Sequence, residues 1–173
     1  YKTEPFQELC LSPDWPMFAL DLLDGAGRIG DFKYSTAGAH LLSTIITRST
    51  GTCARKFANE YLFGPIGALI LPNYEMSASG FMDFFQGKHV TGWVIDPTGN
   101  STGGWGLTLT PRDMALFGFL YLNKGHWDGK QIISSDWIAN TIAPTPHHYG
   151  YLWWLFDQKE PFMYCAMGDG GNI

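Results

Sequence analysis

Gly104-Trp105-Gly106-Leu107-Thr108-Leu109-Thr110-Pro111-Arg112-Asp113-Met114-Ala115-Leu116-Phe117-Gly118 joins a short alternating strand to a sharply started helix. Thr110 reads as the N-cap, because its hydroxyl can accept from an N–H that the first helical turn leaves unpaired. Pro111 follows at the first helical position, where a missing N–H costs nothing. Asp113 stands three residues past the cap, near the positive end of the helix dipole. Met114, Phe117 and Tyr121 then share one face, and Gly125 lies just past the expected end.

Upstream, Ser12 is expected to cap a short helix with Pro13 at its first position, and Trp15, Phe18, Ala19 and Leu22 recur at helical spacing. A second helix is predicted from about Ala37 to Ser49. Its apolar stripe is Leu41, Leu42, Ile45 and Ile46, and Gly51 sits where a left-handed stop is favoured. A third helix is expected from about Cys53 to Tyr61. Residues 66–92 are ill-defined, with Ile66 to Leu71 as a candidate buried strand. Downstream, Asp128-Gly129 signals a two-residue hairpin turn. Ser134 or Ser135 should cap a last helix. Tyr149 to Phe156 and Phe162 to Met167 read as an antiparallel strand pair. The fold class is therefore α+β: one domain over residues 1–173, mainly helical in 1–92 and built of strands and helices in 93–173.

Apolar residues make up 45% of the chain, enough for a sizeable core, and charged residues only 16%. The net charge is −5 with scattered basic residues, which speaks against a nucleic-acid-binding face. Phe63 to Leu71 is too short and too rich in Gly and Pro to span a bilayer, and no signal peptide is visible. Cys10, Cys53 and Cys165 fit no metal spacing and are expected to be unpaired thiols. That usage suits a reducing compartment or a secreted protein that does not depend on disulfides. The start at Tyr1 and the stop at Ile173, just after a glycine cluster, read as the ends of a fragment.

Few residues offer chemistry. Tyr34 stands where an extended segment becomes a helix, so its phenol can project from the helix mouth. A free tyrosine titrates near 10, and a neighbouring cation would favour the phenolate and let it accept a proton. Taken alone, the local sequence favours a tyrosine simply packed at a helix start. Met167-Gly168-Asp169-Gly170-Gly171-Asn172 follows a strand. Its glycines would let a substrate approach backbone N–H groups, although a plain β-turn fits the same residues. His40, His147 and His148 lack a second histidine or a carboxylate at ligand spacing, so neither a metal nor another cofactor is expected. None of the nine serines is followed by lysine three residues later. A Ser-x-x-Lys unit, whose amine eases deprotonation of the hydroxyl, is therefore absent from these residues.

Several segments, in order, resemble the β-lactamase-related and penicillin-binding-protein-like serine hydrolases. Phe32-Lys33-Tyr34-Ser35-Thr36 with the following Ala37 to Leu42 is similar to their Tyr-x-Asn motif at a helix head. Phe63-Gly64-Pro65-Ile66-Gly67 is similar to a Pro-Leu-Gly segment. Trp93, Asp96, Gly103-Gly104 and the run Leu109 to Ala115 are similar to the mid-chain signature. Trp127 to Ile132, Tyr149 to Trp154 and Gly168 to Gly171 continue the order, the last as the third motif. The likeness covers roughly residues 12–64 and 93–172.

This resemblance implies a partial β-lactamase/transpeptidase-like fold and an acyl-enzyme mechanism acting on a small-molecule ester or amide, with the nucleophilic serine and its lysine outside this chain. It makes Tyr34 the general base or relay. It places substrate near Thr36, Asp169, Gly170 and Gly171, with backbone at the last two helping to hold an oxyanion. Two departures stand out: Thr36 replaces the usual Asn, and Asp169 stands where relatives often carry Lys or His. An acid at 169 repels a substrate carboxylate, which favours a neutral ester or amide over a penicillin. The bare chain is expected to be inactive and to self-associate, or to pair with the missing segment of its parent. The alternatives are a non-catalytic binding or sensor module that keeps the fold, and a scaffold similar in structure only.

Overall fold

The computed structural model describes residues 5–22, 28, 30–75, 90–157, 163–168 and 171–172. The chain forms two compact units: Tyr1–Ala58 with Leu71–Thr108, and Asn59–Ile70 with Leu109–Ile173.

The first unit holds α1 (Phe6–Leu11), α2 (Trp15–Asp21), α3 (Thr36–Thr50), α4 (Ala54–Ala58), β1 (Asn73–Tyr74) and β2 (Trp93–Val94). The α2 cap differs from expectation. Asp14 is the N-cap, its carboxylate accepting from Met17 N–H at 2.9 Å, and Ser12 instead closes α1. A carboxylate in the first turn meets the unpaired N–H groups and the dipole together, which a more distant serine cannot do. Leu9, Trp15, Ala19 and Ala37 form the core, with Trp105 stacked on Trp15 at 5.8 Å. β1 and β2 pair in parallel, and Trp93 also bridges Leu107.

α3 starts and stops as the sequence indicates: Ser35 accepts from Gly38 N–H at 2.9 Å, and Gly51 ends the helix at φ +72°. Its buried face is a correction. Leu42 and Ile45 of the expected apolar stripe are exposed, while Ala37, Ala39, His40, Ser43 and Thr44 are buried. The residues that turn inward are small or polar because segment 96–104 lies backbone-close on them. A Cβ at Gly103 would overlap the Ala39 carbonyl, and one at Gly104 would stand 2.7 Å from Thr36 O. Ser43 Oγ donates to Ser101 O at 2.5 Å on the same face. Large side chains cannot fill so narrow a gap.

The expected third helix is shorter. α4 ends at Ala58, and the next five residues in sequence, Asn59–Phe63 of the second unit, form a π-helical turn. Ile66 to Leu71 is not a strand. Ala68 N–H goes back to Phe63 O, and Leu69 N–H goes to the Asp113 carboxylate at 3.2 Å, so no ladder partner is needed.

The second unit continues with α5 (Pro111–Leu122), β3 (His126–Trp127), β4 (Lys130–Gln131), α6 (Ser135–Thr141), β5 (Tyr149–Gly150), β6 (Trp153–Asp157), β7 (Met163–Cys165), β8 (Met167–Gly168) and β9 (Gly171–Asn172). α5 begins with the expected cap, completed as a capping box in which Thr110 and Asp113 bond reciprocally. Burial would raise the Asp113 carboxyl. The bonds from Thr110 and Leu69, with Arg112 beside it, outweigh burial and hold it below its ordinary value. Tyr121, Ile138, Trp153 and Leu155 form this unit's core. Ser134 caps α6. β3 and β4 form the expected hairpin, with positive φ at both Asp128 and Gly129. All three cysteines are free, and burial pushes the Cys10 thiol up to about 11.

Tyr149 to Phe156 is not one strand. β5 and β6 pair antiparallel across Tyr151-Leu152, and β6 pairs antiparallel with β7. Both turn residues take positive φ, +49° and +72°, the conformation a two-residue hairpin needs and one that leucine tolerates poorly. Leu152→Gly should therefore stabilise the protein by about 0.5–1 kcal/mol, the relieved strain exceeding the added chain entropy. A higher urea midpoint checks it, and a lower one would show Leu152 to be unstrained.

Candidate active site

The head of α3 is built by its cap. Ser35 adopts an extended conformation (φ −150°, ψ 119°) to reach Gly38, and this lifts the preceding Tyr34 out of the helix line. Tyr34 is 49% exposed, so its ring is open to a reactant. Thr36 occupies the first helical position, against Gly104. Trp105 follows and packs on Trp15 and Phe6, which makes it structural.

One turn along α3 lies a pair that sequence reasoning missed. His40 Nε2 meets Asp96 Oδ2 at 3.0 Å, and both side chains are almost fully buried. Asp96 also accepts from the Thr98 hydroxyl at 3.0 Å, Asn100 N–H at 2.8 Å and the Asn100 amide at 3.0 Å. Burial alone would raise this carboxyl, but the bonds from His40, Asn100 and Thr98 hold it below its ordinary value. The ionised carboxylate makes His40 Nε2 the donor. His40 Nδ1 and Trp15 Nε1 are buried with no hydrogen-bond partner among the described residues. The two residues are 56 positions apart, and no local spacing marks them. A histidine amid the small and apolar residues of α3, far from the helix's one charged residue, Arg48 in the last turn, was the available signal.

The glycine motif belongs to the second unit. Gly168 pairs with Gly171 and Met167 with Asn172, antiparallel. Asp169 and Gly170 lie outside the described residues. Trp153 is in that unit's core, its indole N–H donating to Tyr121 OH at 3.1 Å. The structure thus brings Tyr34 and Thr36 together at the head of α3, and it describes Gly171 in the other unit. Among the described residues no group of three or more His, Cys, Asp or Glu could hold a metal ion, and no helix is long and apolar enough to cross a membrane.

The chain is similar to the 6-aminohexanoate-dimer hydrolase of Paenarthrobacter ureafaciens, with 27% identity over 124 residues. The match covers 72% of this chain and 27% of the relative's length, so the chain spans about a quarter of that enzyme. No family model matches. The chain has a distant hydrolase relative.

Proposed function

We propose that the chain is the central and late part of a serine hydrolase of the β-lactamase-related kind, with a partial β-lactamase/transpeptidase-like fold. It acts on an ester or amide through an acyl-enzyme. The observation that carries this reading is the match to a hydrolase over 72% of the chain. An exposed tyrosine at the head of a capped helix supports it. Serine and lysine would come from outside these 173 residues, because no serine here has lysine three residues on.

In this mechanism the serine oxygen attacks the substrate carbonyl while Tyr34 takes the hydroxyl proton and passes it to the leaving group. Backbone N–H groups near Gly170 and Gly171, with the serine's own N–H, hold the oxyanion. The resemblance assigns the substrate contacts to Thr36 and Asp169. The acid at 169 favours a neutral ester or amide, since it would repel a substrate carboxylate.

The test compares this chain with a longer one that carries a Ser-x-x-Lys unit, using p-nitrophenyl butyrate and an acyl-type covalent probe. This chain should neither turn over nor be labelled, and the longer one should do both. In the longer chain Tyr34→Phe should lower kcat by about 10²–10⁴-fold, the range for a lost acid–base group. Unchanged turnover would remove Tyr34 from the mechanism. A labelled serine within these residues would relocate the nucleophile. Ligand binding without turnover would favour the non-catalytic module.

A further inference from the structure

A cleft of about 270 Å³ opens on the first unit, lined by Asp14, Pro16, Thr44, Arg48, Thr98 and Asn100. It falls below the roughly 300 Å³ at which drug-sized pockets begin, so it has room only for a small molecule. Its two charges are opposite and are not spent on each other. Arg48, in the last turn of α3, makes no ion pair or side-chain hydrogen bond among the described residues. Asp14 uses one carboxylate oxygen to cap α2 and has the other to spare.

The cleft also has a fixed polar wall. Asn100 is 7% exposed, and its amide NH₂ is committed to Asp96 Oδ2 at 3.0 Å and Thr98 Oγ1 at 2.9 Å. Because the Asp96 carboxylate can only accept, the NH₂ must face it, which leaves the Asn100 carbonyl oxygen as an acceptor with no partner among the described residues. Thr98 is held in the same way by both oxygens of Asp96. The wall is therefore set before any ligand arrives.

We infer that this cleft binds a small zwitterion of the amino-acid kind, its carboxylate on Arg48 and its ammonium on Asp14 and the Asn100 carbonyl. An anion alone would meet the Asp14 charge, and a cation alone would meet Arg48. A ligand with both charges satisfies both, and a planar guanidinium pairs with a carboxylate through two parallel bonds. The inference does not rest on the hydrolase reading and uses none of its residues.

The test is a titration of the ¹⁵N-labelled protein with glycine and L-serine, with acetate and ethylammonium as single-charge controls. Saturable shifts centred on Thr98 and Asn100, with Kd of about 1 mM, are expected for the amino acids. Acetate and ethylammonium should bind about tenfold more weakly or not at all. Arg48→Gln removes an exposed charge, and Asp14→Asn keeps a good capping side chain, so both variants should fold. Each should weaken glycine binding about tenfold. Three results would overturn the inference: no saturable shift up to about 20 mM, acetate binding as well as glycine, or both variants binding like the parent.

Discussion

Asp96→Ala is expected to destabilise the protein by about 3–5 kcal/mol, because it removes a shared buried acceptor and each buried donor left unmet costs about 1–3 kcal/mol. The carboxylate is the common acceptor for His40, Thr98 and Asn100, all within 3.0 Å. Without it the imidazole N–H, the Asn100 backbone N–H and one of the two hydrogens of the Asn100 side-chain amide lose their acceptor, the other staying on Thr98, and unmet buried donors cost more than the bonds themselves contributed. Asp96→Asn keeps the shape and one carbonyl acceptor and should cost less. Urea denaturation followed by circular dichroism separates the two. A loss below about 1 kcal/mol for the alanine variant would mean that the pair is a bystander. The same carboxyl sets an acid limit. Its folded-state pKa lies below the ordinary value of 3.8, so its contribution is present above about pH 4 and is lost as pH falls through the folded value. Asp113 acts with the same sign.

Trp153→Ala should remove a comparable amount, about 3–5 kcal/mol, from the second unit. Trp153 is 5% exposed and lies parallel to Phe117 (8° between planes) with centroids 6.1 Å apart, 4.7 Å from Tyr121, and edge-on to Tyr164 at 5.4 Å. Truncation opens a cavity among three rings that cannot close it, and it leaves Tyr121 OH without its indole donor. Trp153→Phe keeps most of the volume and should cost about 1–2 kcal/mol, the lost hydrogen bond and an imperfect fit. Equal urea midpoints for the alanine and parent proteins would show that these rings are not a core.

The features read correctly from sequence are those whose cause is local. Thr110-Pro111-x-Asp113 fixes the start of α5 because cap, proline and carboxylate all act on the first turn's own N–H groups. Asp128-Gly129 gives a hairpin because both residues accept positive φ. Tyr151-Leu152 makes a turn of the same shape from residues that dislike it, and so it could not be foreseen. The cap of α2 was misplaced by two residues, since serine and aspartate compete for the role and reach decides between them. At the candidate site, the emergence of Tyr34 from the helix head was legible, because an extended cap residue must turn the chain there.

By itself the sequence determined where α3 and α5 begin, where α3 stops, and that a phenol-bearing residue stands at a helix mouth in a stretch with no Ser-x-x-Lys unit. These are consequences of backbone groups and side chains only a few positions apart. The tertiary structure decided which face of α3 is buried and that His40 is joined to Asp96. Burial depends on what arrives against a surface. Here a stretch containing Gly103 and Gly104 comes close enough that small and polar side chains fit beneath it, and the bulky apolar ones are turned outward.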